Sequence, residues 1–256
     1  MHPILFTFGG FSLYTYGLFL ALGFMAAVWF SKRNARFYDI KPDDISDLFF
    51  VVLVCGILGA RLLYVAINFA DFRSSPMEMV KIWNGGLVFF GGFLGAVAGS
   101  VVLLKIKKLP FFNTADAISP GVALGHAFGR LGCLFAGCCY GRQCDLPFAV
   151  KFTHPDSLAP LHTYLHPTQV YMAASNLFLF FLLVWIQKHK RFDGMVFLSY
   201  VMIYSVFRFI IEFFRGDFRG DFFFSFLSMS QGIGILVFFI ALALMVKLIR
   251  DANAHR

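Results

Sequence analysis

The chain has 256 residues, of which 59% are hydrophobic and only 14% charged, with a mean hydropathy of +0.74, 36 phenylalanines and a net charge of +8. This composition excludes an ordinary soluble domain. The positive charge sits beside apolar blocks in a pattern that reports topology, so no nucleic-acid partner is expected.

Seven apolar stretches follow one another at residues 11–30, 48–68, 87–104, 114–136, 167–187, 194–213 and 226–249. Each is near the length a spanning helix needs, about 20 residues. The expected fold is therefore an all-α integral membrane protein: a bundle of about seven transmembrane helices with a small external head region. With no long linker, low-complexity tract or helical repeat, one domain covers 1–256. No Lys or Arg precedes the first stretch, and Lys32–Arg33 follows it, so it reads as a retained span rather than a cleaved signal.

The second stretch holds Cys55, a small hydrophobe by context, and near its outer end Arg61 with Tyr64, which reads as either a packing or interfacial arginine or a functional one. Asn84-Gly85-Gly86 and Gly91-Gly92 bracket the start of the third, which predicts a bend or a re-entrant segment. Gly91, Gly95 and Gly99 recur every fourth residue, as Gly125, Gly129 and Gly132 nearly do in the fourth stretch; both predict close helix packing. In the outer half of the fourth stretch His126, Arg130 and Cys133 share one helical face. Residues 142–166 are polar and poor in helix signals, and form the expected head. In the sixth stretch Arg208 and Glu212 stand at i and i+4, followed by Arg215. Beyond them Asp217, Arg219 and Asp221 adjoin Phe222–Phe224, which predicts a loop at the headgroup boundary, either an interfacial anchor or a lipid gate.

Lys32, Arg33, Arg36 and Lys41 follow the first span, Lys105, Lys107 and Lys108 the third, Lys188, Lys190 and Arg191 the fifth, and Lys247, Arg250 and Arg256 the last. The opposite loops hold only Arg73, Lys81, Arg142, Lys151, Arg215 and Arg219. This places the N-terminus outside and the C-terminus in the cytoplasm. Arg61, Arg130 and Arg208 remain, inside or at the ends of apolar blocks. Each costs roughly 2.5–3.5 kcal/mol at a bilayer centre, and guanidinium matches phosphate oxygens, so together they point to an anionic lipid headgroup.

Cys133, Cys138, Cys139 and Cys144 lie within a dozen residues. The C-x4-C-C-x4-C spacing lacks the paired C-x2-C arms of structural zinc sites, so neither a metal nor another cofactor is expected. Reactive thiol, a disulfide through Cys144 and inert packing stay open.

Several segments in order resemble bacterial phosphatidylglycerol–prolipoprotein diacylglyceryl transferase. They are Tyr14-Thr15-Tyr16-Gly17-Leu18, Gly59-Ala60-Arg61-Leu62-Leu63-Tyr64, Trp83-Asn84-Gly85-Gly86 with Gly91-Gly92, and the most specific, Gly129-Arg130-Leu131-Gly132. His166-Pro167-Thr168-Gln169-Val170-Tyr171, Phe207-Arg208 through Glu212 to Arg215, and Ser228-Met229-Ser230-Gln231 complete the likeness. The resemblance implies a transferase of the bacterial cytoplasmic (inner) membrane that acts in lipoprotein maturation. It moves a diacylglyceryl group from phosphatidylglycerol to the thiol of the lipobox cysteine in a prolipoprotein signal peptide, releasing glycerol phosphate. Membrane lipids are its surroundings and its substrate. It further implies that Arg130 and Arg208 hold the phosphate, that Glu212 orients Arg208, and that Tyr16 lines the lipid cavity. Arg61, Gly85, Gly86, Gly91, Gly92, Cys133, Gly141 and Arg215 fall among its substrate-binding positions.

The chain also departs from the family pattern. Phe90 stands where a histidine is usual, Cys133 replaces an asparagine, Cys138 an acidic residue, and Met172 a glutamate. Phenylalanine takes no proton, so the expected base is His126, with a cysteine thiolate second. A related lipid transferase with a different acceptor, or a catalytically impaired lipid-binding homologue, are the alternatives these departures leave.

Overall fold

A computed structural model describes residues 1–9, 11–73, 76–217 and 227–254. Among them are seven helices of 18 residues or more: α1 (Thr15–Ala35), α2 (Pro42–Ile67), α3 (Phe89–Lys107), α4 (Phe111–Ala136), α5 (Thr168–Lys188), α6 (Met195–Glu212) and α7 (Met229–Ala254). The architecture is that of an all-α integral membrane protein. Six of the helices are long and apolar enough to cross a membrane; α4 is not among them, because Asn113, Thr114, Asp116, His126 and Arg130 dilute its apolar content. The first apolar stretch begins earlier than its helix. Residues 11–14 form strand β2 (Phe11–Tyr14), antiparallel to β1 (Ile4–Phe8), with Ile4 opposite Tyr14. The segment with Arg219, Asp221 and Phe222–Phe224 lies outside the described residues.

The chain divides into two compact units, Lys32–Thr114 and Met1–Ser31 with Ala115–Arg256. In the smaller unit α2 and α3 meet along glycines. A Cβ on Gly91 would strike the Gly59 carbonyl, one on Gly95 the Cys55 carbonyl, and one on Gly99 would lie 2.7 Å from Cys55 Sγ. Such close backbone approach is how small residues drive helix association in lipid. The same seam fills the space beside Cys55 and leaves Gly92 3.1 Å, by its absent Cβ, from the Gly56 carbonyl. Before α3 the chain bends as the paired glycines predict, with Gly85 and Gly86 at φ 82° and 72°. At the far end Lys107 bridges Asp44 and Asp47, both at 2.5 Å.

In the larger unit α1 packs on α4 through Gly23 and Gly125, where a Cβ on either would come within 2.7 Å of the other's carbonyl oxygen. Gly121 continues this seam against Ala27 and Ser31, and Gly132 against Phe19. Gly129 does not join it; among the described residues nothing lies within 4 Å of where its Cβ would be. Ala123 of α4, Leu179 and Leu183 of α5 and Val196 of α6 form a fully buried core. Asp116, wholly buried, accepts hydrogen bonds from the Gly194 and Phe197 amides, both at 2.8 Å, and an ion pair from Lys190 at 3.2 Å. It thereby supplies α6 with the N-terminal cap that Gly194 cannot.

The segment between α4 and α5 is a small folded head. Strands β3 (Val150–Lys151) and β4 (Tyr164–Leu165) pair antiparallel. Phe152, Ala159 and Leu165 make its core, closed by Met1, Leu134, Tyr140 and Val150. The head and the N-terminal hairpin thus share one end of this unit, and Thr15 anchors α1 there by bonds to the His2 and Pro3 carbonyls.

Candidate active site

The end of the larger unit that carries the head also gathers most of the predicted residues. On α4 the i, i+4 spacing brings Arg130 Nε to donate to His126 Nε2 at 3.1 Å. On α6 Tyr204 packs its ring 5.3 Å from the His126 ring, one turn before Arg208. Arg130 thus contacts His126 directly, and Arg208 follows one turn after the tyrosine that packs on the same imidazole. Their engagement differs. Arg208 pairs with Glu212 through Nη1 and donates to Ser230 Oγ through Nη2 at 3.1 Å. Arg130 has no carboxylate partner among the described residues, and its two Nη groups find no acceptor there.

Glu212 is a junction. Besides Arg208 it accepts from Ser228 Oγ at 2.9 Å and lies 3.8 Å from Arg215. Ser228 and Gln231 form a reciprocal capping box at the start of α7: Gln231 N donates to Ser228 Oγ at 3.2 Å and Ser228 N to Gln231 Oε1 at 3.0 Å. The Ser-Met-Ser-Gln segment therefore starts a helix and delivers two hydroxyls to the Arg208–Glu212 pair. Arg215, buried, grips Asp217 with two bonds of 2.9 and 2.7 Å and also hydrogen-bonds Cys139.

Cys133, at the end of α4, and Cys138 and Cys139 beyond it bring their sulfurs within 4.8 Å of one another. The charge of Arg130 reaches Cys133 and Cys139. Hydrogen bonds with Cys133 and Cys138, and with Arg215, pull the Cys139 thiol below the ordinary thiol range. Gly137 (φ 77°) and Cys139 (φ 61°) turn the backbone through the left-handed region. Thr168 Oγ1 donates to the Cys139 carbonyl at 2.7 Å and Gln169 Nε2 to the Cys138 carbonyl at 2.8 Å. Two adjacent side chains of the His-Pro-Thr-Gln segment thus hold the cysteine turn by its backbone.

Tyr16 lies beside this cluster. Its ring would be 3.3 Å from a Cβ on Gly132, and the charges of Cys133 and Arg130 act on its hydroxyl. Gly141 joins segments: its amide donates to the His166 carbonyl at 3.1 Å, it bridges to Arg215, and a Cβ would meet the Phe214 carbonyl at 2.7 Å. That three-way backbone contact brings Arg215 to Cys139.

The remaining predicted residues belong to the smaller unit. Arg61, only 7% exposed, donates to the carbonyls of Met79 (2.9 Å), Gly85 (2.6 Å), Gly86 (3.2 Å) and Glu78, while Tyr64 and Phe72 face its guanidinium, each ring centre 5.5 Å away. It clamps the loop ahead of α3, which is a packing role. Gly85 and Gly86 shape that loop, and Gly91 and Gly92 lie in the α2–α3 seam. Ser228, Ser230, Tyr204 and Cys139 were not among the predicted site residues. A capping-box signal in Ser-x-x-Gln was available for the first of them.

Comparison with known proteins identifies the family. A family model described as prolipoprotein diacylglyceryl transferase matches residues 3–247. The phosphatidylglycerol–prolipoprotein diacylglyceryl transferase of Clostridium tetani is 37% identical over 94% of this chain and 96% of its own length. That of Geobacter sulfurreducens is 33% identical over 97% and 95%. A Clostridium perfringens protein named phosphatidylglycerol–prolipoprotein diacylglyceryl transferase 2 is 31% identical over 89% and 88%. With the match running through both units and nearly end to end, the chain belongs to the prolipoprotein diacylglyceryl transferase family.

Proposed function

We propose that this transferase moves the diacylglyceryl group of phosphatidylglycerol onto the lipobox cysteine thiol of prolipoproteins, releasing glycerol phosphate. The observation that carries the reading is Arg130: a half-buried guanidinium with no carboxylate partner and two Nη groups without acceptors among the described residues, beside Arg208. Such a fork suits a phosphate oxygen pair. The relatives' names supply phosphatidylglycerol and prolipoprotein as the substrates of those proteins.

In this reading Arg130 and Arg208 take the charge that grows on the departing phosphate as the carbon–oxygen bond breaks, where fixed donors in a dry site are most effective. Glu212, tied by Ser228, sets the plane of Arg208. His126 offers its Nε2 lone pair to Arg130 and so acts as a positioning residue for that arginine; the thiol proton then has to be removed by another group. Tyr16 and Cys133 border the reacting centre, Arg215 and Gly141 hold its rim, and in the smaller unit Arg61 with Gly85, Gly86, Gly91 and Gly92 serves substrate binding by shaping the loop ahead of α3 and the seam that follows it. The family model's span supports a single working domain over both units. The distribution of basic residues supports a cytoplasmic-membrane protein with its N-terminus and head outside and its C-terminus inside.

Complementation of a bacterial strain depleted of its own transferase tests this, with prolipoprotein modification read by gel shift. Lipidated product and growth are expected. A well-expressed membrane protein that yields no lipidated product would refute it and favour a different acceptor.

A further inference from the structure

We propose that Cys133, Cys138 and Cys139 hold one zinc ion, whose fourth position receives the acceptor thiol. The ligand set stands independently, whereas the role of the fourth position rests on the transferase reading above.

Geometry comes first. Sulfurs around a tetrahedral zinc sit roughly 3.8 Å apart, given zinc–sulfur bonds of about 2.3 Å. The three Sγ atoms here already lie within 4.8 Å of one another. Cys144, which made the sequence spacing look wrong for a metal, is not part of this group. Three protein ligands with one open position is the arrangement of catalytic rather than structural zinc. The C-x2-C arms absent from the sequence are replaced by the left-handed turn at Gly137 and Cys139, which folds two adjacent cysteines back toward the end of α4.

The supports around the thiols point the same way. A non-glycine residue in that backbone region is strained and persists only where its surroundings hold it. Thr168 and Gln169 do so through the Cys139 and Cys138 carbonyls. Outer hydrogen bonds of this kind orient metal ligands. Charge fits as well. Three thiolates around a dication carry one net negative charge, and Arg130 and Arg215 border the cluster.

The chemistry accounts for a phenylalanine at position 90, where the family pattern has a histidine. A zinc-bound thiol is deprotonated outright at neutral pH, so the metal does the work of a base. The incoming acceptor thiol gives its proton to the zinc-bound hydroxide, which leaves as water, and its sulfur takes the fourth position. That sulfur's electron pair then forms the bond to the glycerol carbon while the carbon–oxygen bond to phosphate breaks. The bond's electrons leave with glycerol phosphate, opposite Arg130. No oxidant or reductant is involved.

The full-length protein, purified in detergent under a thiol reductant and without chelator, is assayed for metal by mass spectrometry. About one zinc per chain is expected. C133S, C138S and C139S should each lose it, and C144S should keep it, with thermal unfolding as the folding control. Replacement by cobalt should give thiolate charge-transfer bands and the visible bands of a tetrahedral ion. A lipobox peptide with cysteine should shift the visible bands, and the same peptide with serine should not. Metal content equal to that of the triple serine variant overturns the site. A cobalt spectrum indifferent to the cysteine peptide overturns the acceptor role. A spectrum that responds in a protein that transfers no diacylglyceryl upholds the site and refutes the transferase reading instead.

Discussion

Arg130→Ala separates the phosphate-binding account from a structural one. His126 engages only Nε, so the side chain is free to turn both Nη groups to one phosphate. Two charge-assisted hydrogen bonds at about 1.5–3 kcal/mol each would be lost. Allowing for water entering the vacated space, the net loss is about 4 kcal/mol, roughly a thousandfold in kcat/KM. Since the phosphate gains charge as it leaves, most of the loss should fall on kcat. Arg130→Lys keeps the charge but neither the fork nor the His126 contact, and should retain more activity than the alanine variant. The assay is the initial rate of lipidation of a fluorescent lipobox peptide in proteoliposomes containing phosphatidylglycerol, with thermal unfolding as the control. A folded Arg130→Ala protein within tenfold of the parent would refute the reasoning.

Glu212→Gln preserves shape while removing the charge that orients Arg208; a loss of about 1.5–3 kcal/mol, or some 10- to 100-fold in the same assay, is expected. Asp116→Ala removes a buried carboxylate from two amides and Lys190 at the end of α6. Because Lys190 retains Asp193, the destabilisation should be about 2–3 kcal/mol, seen as a lower unfolding temperature. Gly95→Val drives a side chain onto the Cys55 carbonyl and should cost about 1–3 kcal/mol by the same measurement.

The helices were legible because apolar blocks near 20 residues have few alternatives in a chain this hydrophobic. Residues 11–14 escaped this reading, since a short apolar strand and the start of a span look alike without periodicity. His126–Arg130 and Arg208–Glu212 were legible through helical spacing, which makes neighbours of residues four apart. Contacts between distant segments were not. Ser228 reaches Glu212 across 16 residues, and Thr168 reaches the Cys139 carbonyl across 29. A side chain bonding a remote backbone carbonyl leaves no periodic trace. Arg61 shows the converse limit. Its residue type suits an anion, yet its described donors go to loop carbonyls.

The grip of Thr168 and Gln169 on the Cys138–Cys139 turn has a consequence for redesign. Both residues hold main-chain oxygens and so are indifferent to what projects from positions 138 and 139. The turn is therefore a socket whose fittings can be exchanged, with thiols, a carboxylate or an amide presented along the same path. Changing the chemistry there calls for new side chains at 133, 138 and 139, and leaves the supporting frame as it stands.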